Sequence, residues 1–318
     1  MRGRGTGRLI AYLFRAARAG TSPAMAAPTD EIEIFDRALR RRRRDRAAPG
    51  FADHAFVRDD IVAGLLDRLD SVKRVFGRAL DLGAADGALG RALGARGMNV
   101  VSADPGFACA RATGGVQCDE DRLPFADASF DLVVSAGGLE TVNDLPGALA
   151  LIRRVLRPDG LFLAGFPGAG SLPRLREALM AADMAVTGGA APRLHPQIDV
   201  RAAGDLLQRA GFALGVADSE TLTVRYGDPL RLIADLRGMA ATNLLRAPRP
   251  PLTRRHVAAM IERFAAAADP DGRTAERIEI VYLTGWSPAP DQPRPARRGS
   301  GTRSLADILK PPGSGDRP

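Results

Sequence analysis

Residues 78–93, RALDLGAADGALGRAL, constrain the fold more than any other stretch of the chain. A short apolar run ends in Asp81, Gly83 opens a turn, Gly87 closes it, and helical periodicity follows at once. A strand that turns this tightly into a helix leaves the first helical N–H groups free and lets a ligand approach bare backbone. The segment therefore reads as a ligand-binding loop of an α/β protein. A dinucleotide loop is the immediate rival. It asks for three spaced glycines under the pyrophosphate, and only Gly83 and Gly87 stand at the critical places.

The surrounding pattern agrees. Strand-like runs occupy residues 78–82, 99–103, 115–118, 130–135, 160–166, 221–226 and 278–283, with helical periodicity over 87–95, 145–156, 200–210, 230–245 and 253–268. Apolar strands alternating with helices predict a mostly parallel seven-stranded sheet with helices on both faces, closed by an antiparallel last strand. Two helices precede it. Residues 31–46 put acids first and arginines last, the order the helix dipole favours, and residues 58–75 place Ile61, Val62, Leu65, Leu66 and Leu69 on one face. The predicted layout is an extension over 1–29, helices over 30–76, a ligand-binding domain over 77–287 and a Pro/Gly-rich basic tail over 288–318, with both termini disordered.

Composition removes several function classes. No apolar run approaches the roughly 18 residues of a membrane-spanning helix. Cys109 and Cys118 fit a reducing compartment and a core-filling role, and neither has the neighbours of a metal knuckle. The net charge of +8 is concentrated at the ends: the first 50 residues hold 12 arginines against 5 acids, and the part between the two tails is slightly acidic. A basic total thus gives no reason to expect nucleic-acid binding by the folded part. Residues 1–28 contain five arginines and no acid, so a disordered extension is expected, with a transit peptide as the alternative. The expected location is correspondingly the bacterial cytoplasm, or the mitochondrial matrix under that alternative.

Two further segments carry chemistry. Asp104 follows the second strand directly, where one carboxylate can accept from both hydroxyls of a ribose in either an adenosyl or a nicotinamide cofactor. Residues 118–135, CDEDRLPFADASFDLVVS, put Asp119 and Glu120 at the end of a short strand, then a Leu-Pro-Phe turn, then a buried strand ending in Ser135. Taken singly, Asp81 and Asp104 are compatible with turn acids.

The ordered set of residues 81–87, Asp104, 119–125, 130–135 and Leu156-Arg157-Pro158-Asp159-Gly160 resembles the motifs of class I S-adenosylmethionine-dependent methyltransferases. The resemblance implies a Rossmann-like methyltransferase fold with S-adenosyl-L-methionine as cofactor. The Gly83 to Gly87 backbone would face its methionine part, Asp104 would hold its ribose, and Asp119 with the Glu120 backbone would read its adenine, with Asp81 and Ser135 counted among the cofactor-binding residues. Ile34-Phe35-Asp36-Arg37, Val142-Asn143-Asp144-Leu145-Pro146, Asp235-Leu236-Arg237-Gly238-Met239 with Asn243, Gly285-Trp286, Arg294-Pro295-Ala296 and Arg298-Gly299-Ser300 are similar to the complex I assembly factor 5 family. That family comprises the mitochondrial arginine hydroxylase and its bacterial relatives, and the biotin-pathway malonyl-carrier methyltransferase is a more distant relation. Two positions depart from its pattern. Ala85 stands where the loop usually has a middle glycine, so its methyl is expected to crowd the cofactor, and Glu140 and Thr141 replace a His-Trp pair.

Three functions follow. One is a methyltransferase-like enzyme acting on a protein or small-molecule acceptor, with a complex I subunit as the acceptor the resemblance points to and arginine hydroxylation as a family-guided variant. The second is a non-catalytic assembly factor, and the third an RNA methyltransferase. Glu140 is the candidate proton acceptor, against the reading that it merely opens a surface helix. No metal is expected, since His54, His195 and His256 lie far apart in sequence. His195 is expected to be an exposed loop residue, and Tyr282 and Trp286 core. The run Arg40 to Arg44 is expected to meet a protein partner or nothing specific, with RNA disfavoured because base-stacking aromatics are absent around it.

Overall fold

The computed structural model describes residues 33–246, 250–290 and 292. The predicted tail motifs at 294–300 and the extension over 1–28 lie outside the described residues.

After helix α1 (Arg37–Ala47), a 3₁₀ segment (Ala48–His54) and helix α2 (Phe56–Asp70), the sheet begins with β1 (Arg78–Leu82), α3 (Ala88–Ala95), β2 (Asn99–Asp104), α4 (Phe107–Ala112) and β3 (Val116–Gln117). It continues through β4 (Phe130–Ala136), α5 (Leu145–Val155), β5 (Leu156–Pro167), α6 (Pro173–Thr187), α7 (Val200–Arg209), β6 (Ala213–Tyr226), α8 (Pro229–Gly238), α9 (Arg254–Ala265) and β7 (Thr274–Trp286). The strand order is β3-β2-β1-β4-β5-β7-β6. All neighbours are parallel except β7, which runs antiparallel between β5 and β6. The strand order reverses between β1 and β4, and the crevice outside the carboxyl ends of strands at such a switch point is where open α/β sheets place their ligands.

The period of two along each strand divides the core into two layers. Leu80, Leu82, Val133, Phe162, Ala164 and Leu283 point to the side covered by α5 and α7. Ala79, Leu132, Val134, Leu161, Leu163 and Tyr282 point to the side covered by α2 and α3. The α2 residues foreseen on one face, Ile61, Val62, Leu65 and Leu69, are buried there, each such side chain contributing about 1.5–3 kcal/mol. Contact with the sheet is close. A Cβ on Gly64 would lie 2.3 Å from Tyr282 Oη, and Arg68 stacks over the same ring at 3.6 Å. Gly64→Ala is therefore expected to destabilise the protein by about 1–3 kcal/mol, seen as a lower thermal midpoint. Adding Tyr282→Phe should return part of the loss, and an unchanged midpoint in the single variant would refute this packing.

Side-chain caps set several helix starts. Asp36, Asp144 and Asp199 accept from the backbone N–H three residues on, and Thr253 forms a capping box with His256. The first helix accordingly starts at Arg37, not at residue 31. The helix expected over 230–245 stops at Gly238, where the chain passes so near His54 that a Cβ would meet its ring at 2.0 Å. Two helices escaped the sequence reading, α4 and α6. Strand β6 extends seven residues and more before the expected 221–226, because its pairing with β7 rests on backbone bonds and most of its side chains are exposed. Cys109 and Cys118 are free and buried, Tyr282 is fully buried, and Trp286 packs at the edge of the second layer.

Candidate functional site

The loop after β1 forms the floor of a small cradle. Gly83 and Gly87 take φ values of 78° and 77°, which favour glycine. The N–H groups of Gly83 and Ala84 donate to the Ala103 carbonyl, at 2.8 and 3.1 Å, and pin the loop to the end of β2. A Cβ built on Gly83 would stand 3.1 Å from the Gly137 carbonyl, 3.6 Å from Glu120 Oε1 and 3.9 Å from Ser135 Oγ. Bare backbone thus faces polar groups from β4 and from the chain after β3. Ala85 takes φ 49° and packs into a cluster with Ala47, Phe51 and Ala55. Its methyl is anchored among these apolar neighbours, and its N–H donates to Asp104 Oδ2 at 2.9 Å.

The acids singled out in the sequence converge here. Asp81, Asp104, Asp119, Glu120 and Ser135 are all buried. Asp81 accepts from the Gly90 N–H at 3.0 Å, and burial pushes its carboxyl up to about 7, with the nearby Asp104 adding to the effect. An unfolded Asp gives up its proton at about pH 3.9. Between that value and 7 the folded state binds more protons than the unfolded one, so this group's stabilisation is present below pH 4 and lost as pH rises to 7. Asp81→Asn keeps an oxygen for Gly90. Relative to that variant, the wild type is expected to lose up to about 1.4 kcal/mol per pH unit across the window, measured by urea unfolding. Parallel stability profiles would contradict it.

Every one of the other acids is met by an arginine from α1. Positions 37, 40, 41 and 44 share one helical face by their spacing of three and four. Arg37 forms a bidentate pair with Asp121, both bonds 2.6 Å. Arg40 does the same with Glu120 at 2.6 and 2.8 Å, and also donates to Thr141 Oγ1 and the Gly138 carbonyl, both at 3.0 Å. Arg41 reaches Asp119 at 2.5 Å. Arg44 grips Asp104 with Nε at 2.8 Å and with Nη2. Burial alone would raise the Asp104 carboxyl, but Arg44 and the N–H groups of Ala85 and Gly106 outweigh it and hold the group below the usual carboxylate range. Asp121 is likewise held low by Arg37 against the effect of burial. The expectation that the arginine run is a solvated face or an external docking site is thus corrected: Arg40, Arg41 and Arg44 of the run, and Arg37 before it, are spent on internal acids. Sequence reasoning missed this because the partners lie 60 to 84 residues away.

Beside the cradle opens a largely apolar cavity of about 430 Å³, lined among others by Glu140, Thr141, Leu175, Leu179, His195 and Met239. Glu140 sits in the 3₁₀ turn Leu139–Thr141 and accepts from the Gly138 N–H at 2.7 Å. Burial pushes its carboxyl up. It therefore both opens a helical turn and faces a cavity. His195 is not the exposed loop residue expected. Its ring packs edge-on against Phe35 at 5.2 Å, and Nε2 accepts from the Leu244 N–H at 2.8 Å. Burial, reinforced by Arg43, lowers its pKa to about 4, so it stays neutral at physiological pH. The cavity also draws on α6, which the sequence reading did not contain, although Pro173 at its first position and Leu175, Ala178, Leu179 and Ala182 on one face mark it.

Residues 80–164 match the family Methyltransf_11, a methyltransferase domain. The arginine-hydroxylase NDUFAF5, mitochondrial, of Danio rerio is 32% identical over 290 residues, covering 88% of this chain and 90% of that one. The chain belongs to the NDUFAF5 family. Malonyl-[acyl-carrier protein] O-methyltransferase of a Methylovorus species is 30% identical over 278 residues, covering 82% of this chain and 92% of that one. Among solved structures, YcgJ of Bacillus subtilis superposes with a TM-score of 0.50 at 16% identity, covering 72% of this chain and 98% of that one, which shows the shared fold. The NDUFAF5-family chain therefore has a Rossmann-like methyltransferase fold. Among its described residues no helix is long and apolar enough to cross a membrane.

Proposed function

We propose that this protein binds S-adenosyl-L-methionine in the cradle and modifies a protein or small-molecule acceptor held in the adjoining cavity, in the service of complex I assembly. The observation that carries the reading is the adjacency of the two: Arg40 bonds at once to Glu120 of the cradle and to Thr141, which lines the cavity. Gly83 presents bare backbone close to Gly137, Glu120 and Ser135, which suits a cofactor that must lie against backbone. Asp81, Gly83 and Gly87 would hold its amino-acid end, Asp104 its ribose, and Asp119 and Glu120 its base. Bound S-adenosylmethionine supplies an electrophilic methyl group on a sulfonium. The chain contributes position, exclusion of water by the apolar lining, and Glu140 as a group able to take a proton from the acceptor. Its raised pKa suits that role. Action in the bacterial cytoplasm fits this reading, or in the mitochondrial matrix if residues 1–28 direct import. RNA is disfavoured as substrate, since Arg37, Arg40, Arg41 and Arg44 have internal partners.

A second reading, a non-catalytic assembly factor, is favoured by the engagement of the cradle acids with arginine. One complementation experiment separates the two. Deleting the gene should reduce assembled complex I, and wild type should restore it. Gly83→Val, which fills the cradle, should fail to do so if cofactor binding matters. Full restoration by that variant would favour the non-catalytic reading, and unaltered assembly after deletion would contradict both.

A further inference from the structure

The Asp104 carboxylate has no acceptor site to spare. Each of its oxygens takes two donors: Arg44 Nε and the Gly106 N–H on Oδ1, Arg44 Nη2 and the Ala85 N–H on Oδ2. A carboxylate offers about four lone-pair positions, so a ribose diol must displace a donor before Asp104 can receive it. The two backbone donors are fixed by the loop after β1 and by the start of α4. Arg44 alone is replaceable. Its Nη2 also lies 3.4 Å from the Gly83 carbonyl, so the guanidinium spans the cradle from its loop to β2.

The four arginines are not equivalent. Arg40 is buried and holds four bonds, to Glu120 twice, to Thr141 and to Gly138. Arg37 is tied by two bonds to Asp121 and by one to Glu33. Arg41 makes a single bond to Asp119, and its side chain is 43% exposed. Arg37 and Arg40 therefore anchor α1, whereas Arg41, 43% exposed, and Arg44, 12% exposed, sit on the two acids assigned to base and ribose and can leave them without unseating the helix.

We propose that Arg41 and Arg44 are internal competitors of the adenosyl ligand: they plug the cradle when it is empty and leave Asp119 and Asp104 when it fills. The inference rests on the reading of the cradle as an adenosyl site. Its consequence is regulatory. Ligand affinity is set down by the cost of breaking two ion pairs, and any partner that draws these arginines away raises it.

The test uses the full-length protein labelled with ¹⁵N at arginine Nε and S-adenosylhomocysteine as probe, with Arg44 assigned from the Arg44→Lys spectrum. At saturation the Arg44 Nε–H should exchange with solvent at least about ten-fold faster, the signature of lost hydrogen-bond protection, while Arg40 Nε–H stays as it was. Arg41→Gln should bind the probe about five-fold more tightly, about 1 kcal/mol. It is the second variant because Arg41 is the most exposed of the four and its removal leaves Asp119 near Arg37. Saturable binding with Arg44 still protected, or equal or weaker binding by Arg41→Gln, would overturn the competition while leaving the adenosyl site standing. Absence of binding by wild type and both variants at millimolar probe would overturn the adenosyl site and this inference with it.

Discussion

Asp104→Ala is expected to cost about 3–5 kcal/mol of folding stability, among the largest losses of any single substitution in the cradle. The carboxylate is fully buried. Its removal strands the Arg44 guanidinium, whose side chain is 12% exposed, together with the N–H groups of Ala85 and Gly106. An unpaired buried charge and two unmet donors are each expensive. The converse change, Arg44→Met, should cost less. Asp104 keeps its two backbone donors and can take up a proton, which neutralises it. The two variants should also respond differently to pH. In the wild type the Asp104 carboxyl is held low by Arg44, so this pair stabilises the fold fully above the unfolded carboxyl's pKa of about 3.9 and loses that contribution as pH falls from there through the lower folded value. The gap between wild type and Arg44→Met should therefore narrow on acidification. Urea unfolding of the three proteins at neutral pH and below about pH 3.9 checks both points. A loss under 1 kcal/mol for Asp104→Ala would show that the pair does not hold the loop.

The Arg40–Glu120 pair allows a sharper separation of a charge's burial from its partner's presence. Both members are buried, and truncating either one to alanine is expected to cost about 3–5 kcal/mol. Replacing both with apolar residues of similar length, Arg40→Met with Glu120→Leu, removes the stranded charge. Thr141 Oγ1 still donates to the Gly138 carbonyl at 2.9 Å in the double variant, so no buried hydroxyl is orphaned. The double variant should then lie within about 2 kcal/mol of wild type, since buried ion pairs are often replaceable by packed hydrocarbon. The coupling energy of the cycle would be several kcal/mol. Additive losses would mean that the pair is solvated and that α1 is held mainly by its apolar contacts. Recovery of stability should not bring recovery of ligand binding, because Glu120 also borders the cradle at Gly83.

What the sequence discloses and what it hides divide along the range of the interactions. The turn through Gly83 and Gly87 is local, and so are the apolar runs that become β1, β2, β4 and β5. Period-two and period-3.6 patterns carry them directly. The acids at 81, 104, 119 and 120 are legible as a set because each lies at or just beyond the carboxyl end of a strand, and the parallel topology brings such ends to one edge. The arginine pairing is not local. Nothing in the run Arg40 to Arg44 distinguishes a side chain aimed at an acid 60 residues on from one aimed at water, although the 37, 40, 41, 44 spacing marks a face. Helix α6 was within reach through its apolar stripe. The full length of β6 was not, because an exposed edge strand with Ser219 to Thr223 in its middle has no hydrophobic alternation to show. His195 illustrates the same limit: the neighbours that cover it, Phe35 and Leu244, are distant from it in the chain, on either side of it.

The central question is whether the cradle takes an adenosyl cofactor. Calorimetric titration of S-adenosylmethionine into the wild-type chain asks this most directly, with Gly83→Val, checked for native circular dichroism, as the control. The predicted result is one saturable site with a Kd below about 1 mM, weakened by about 30-fold or more in Gly83→Val, a difference of about 2 kcal/mol. No saturable heat at millimolar cofactor, or equal affinity in the two proteins, would contradict it.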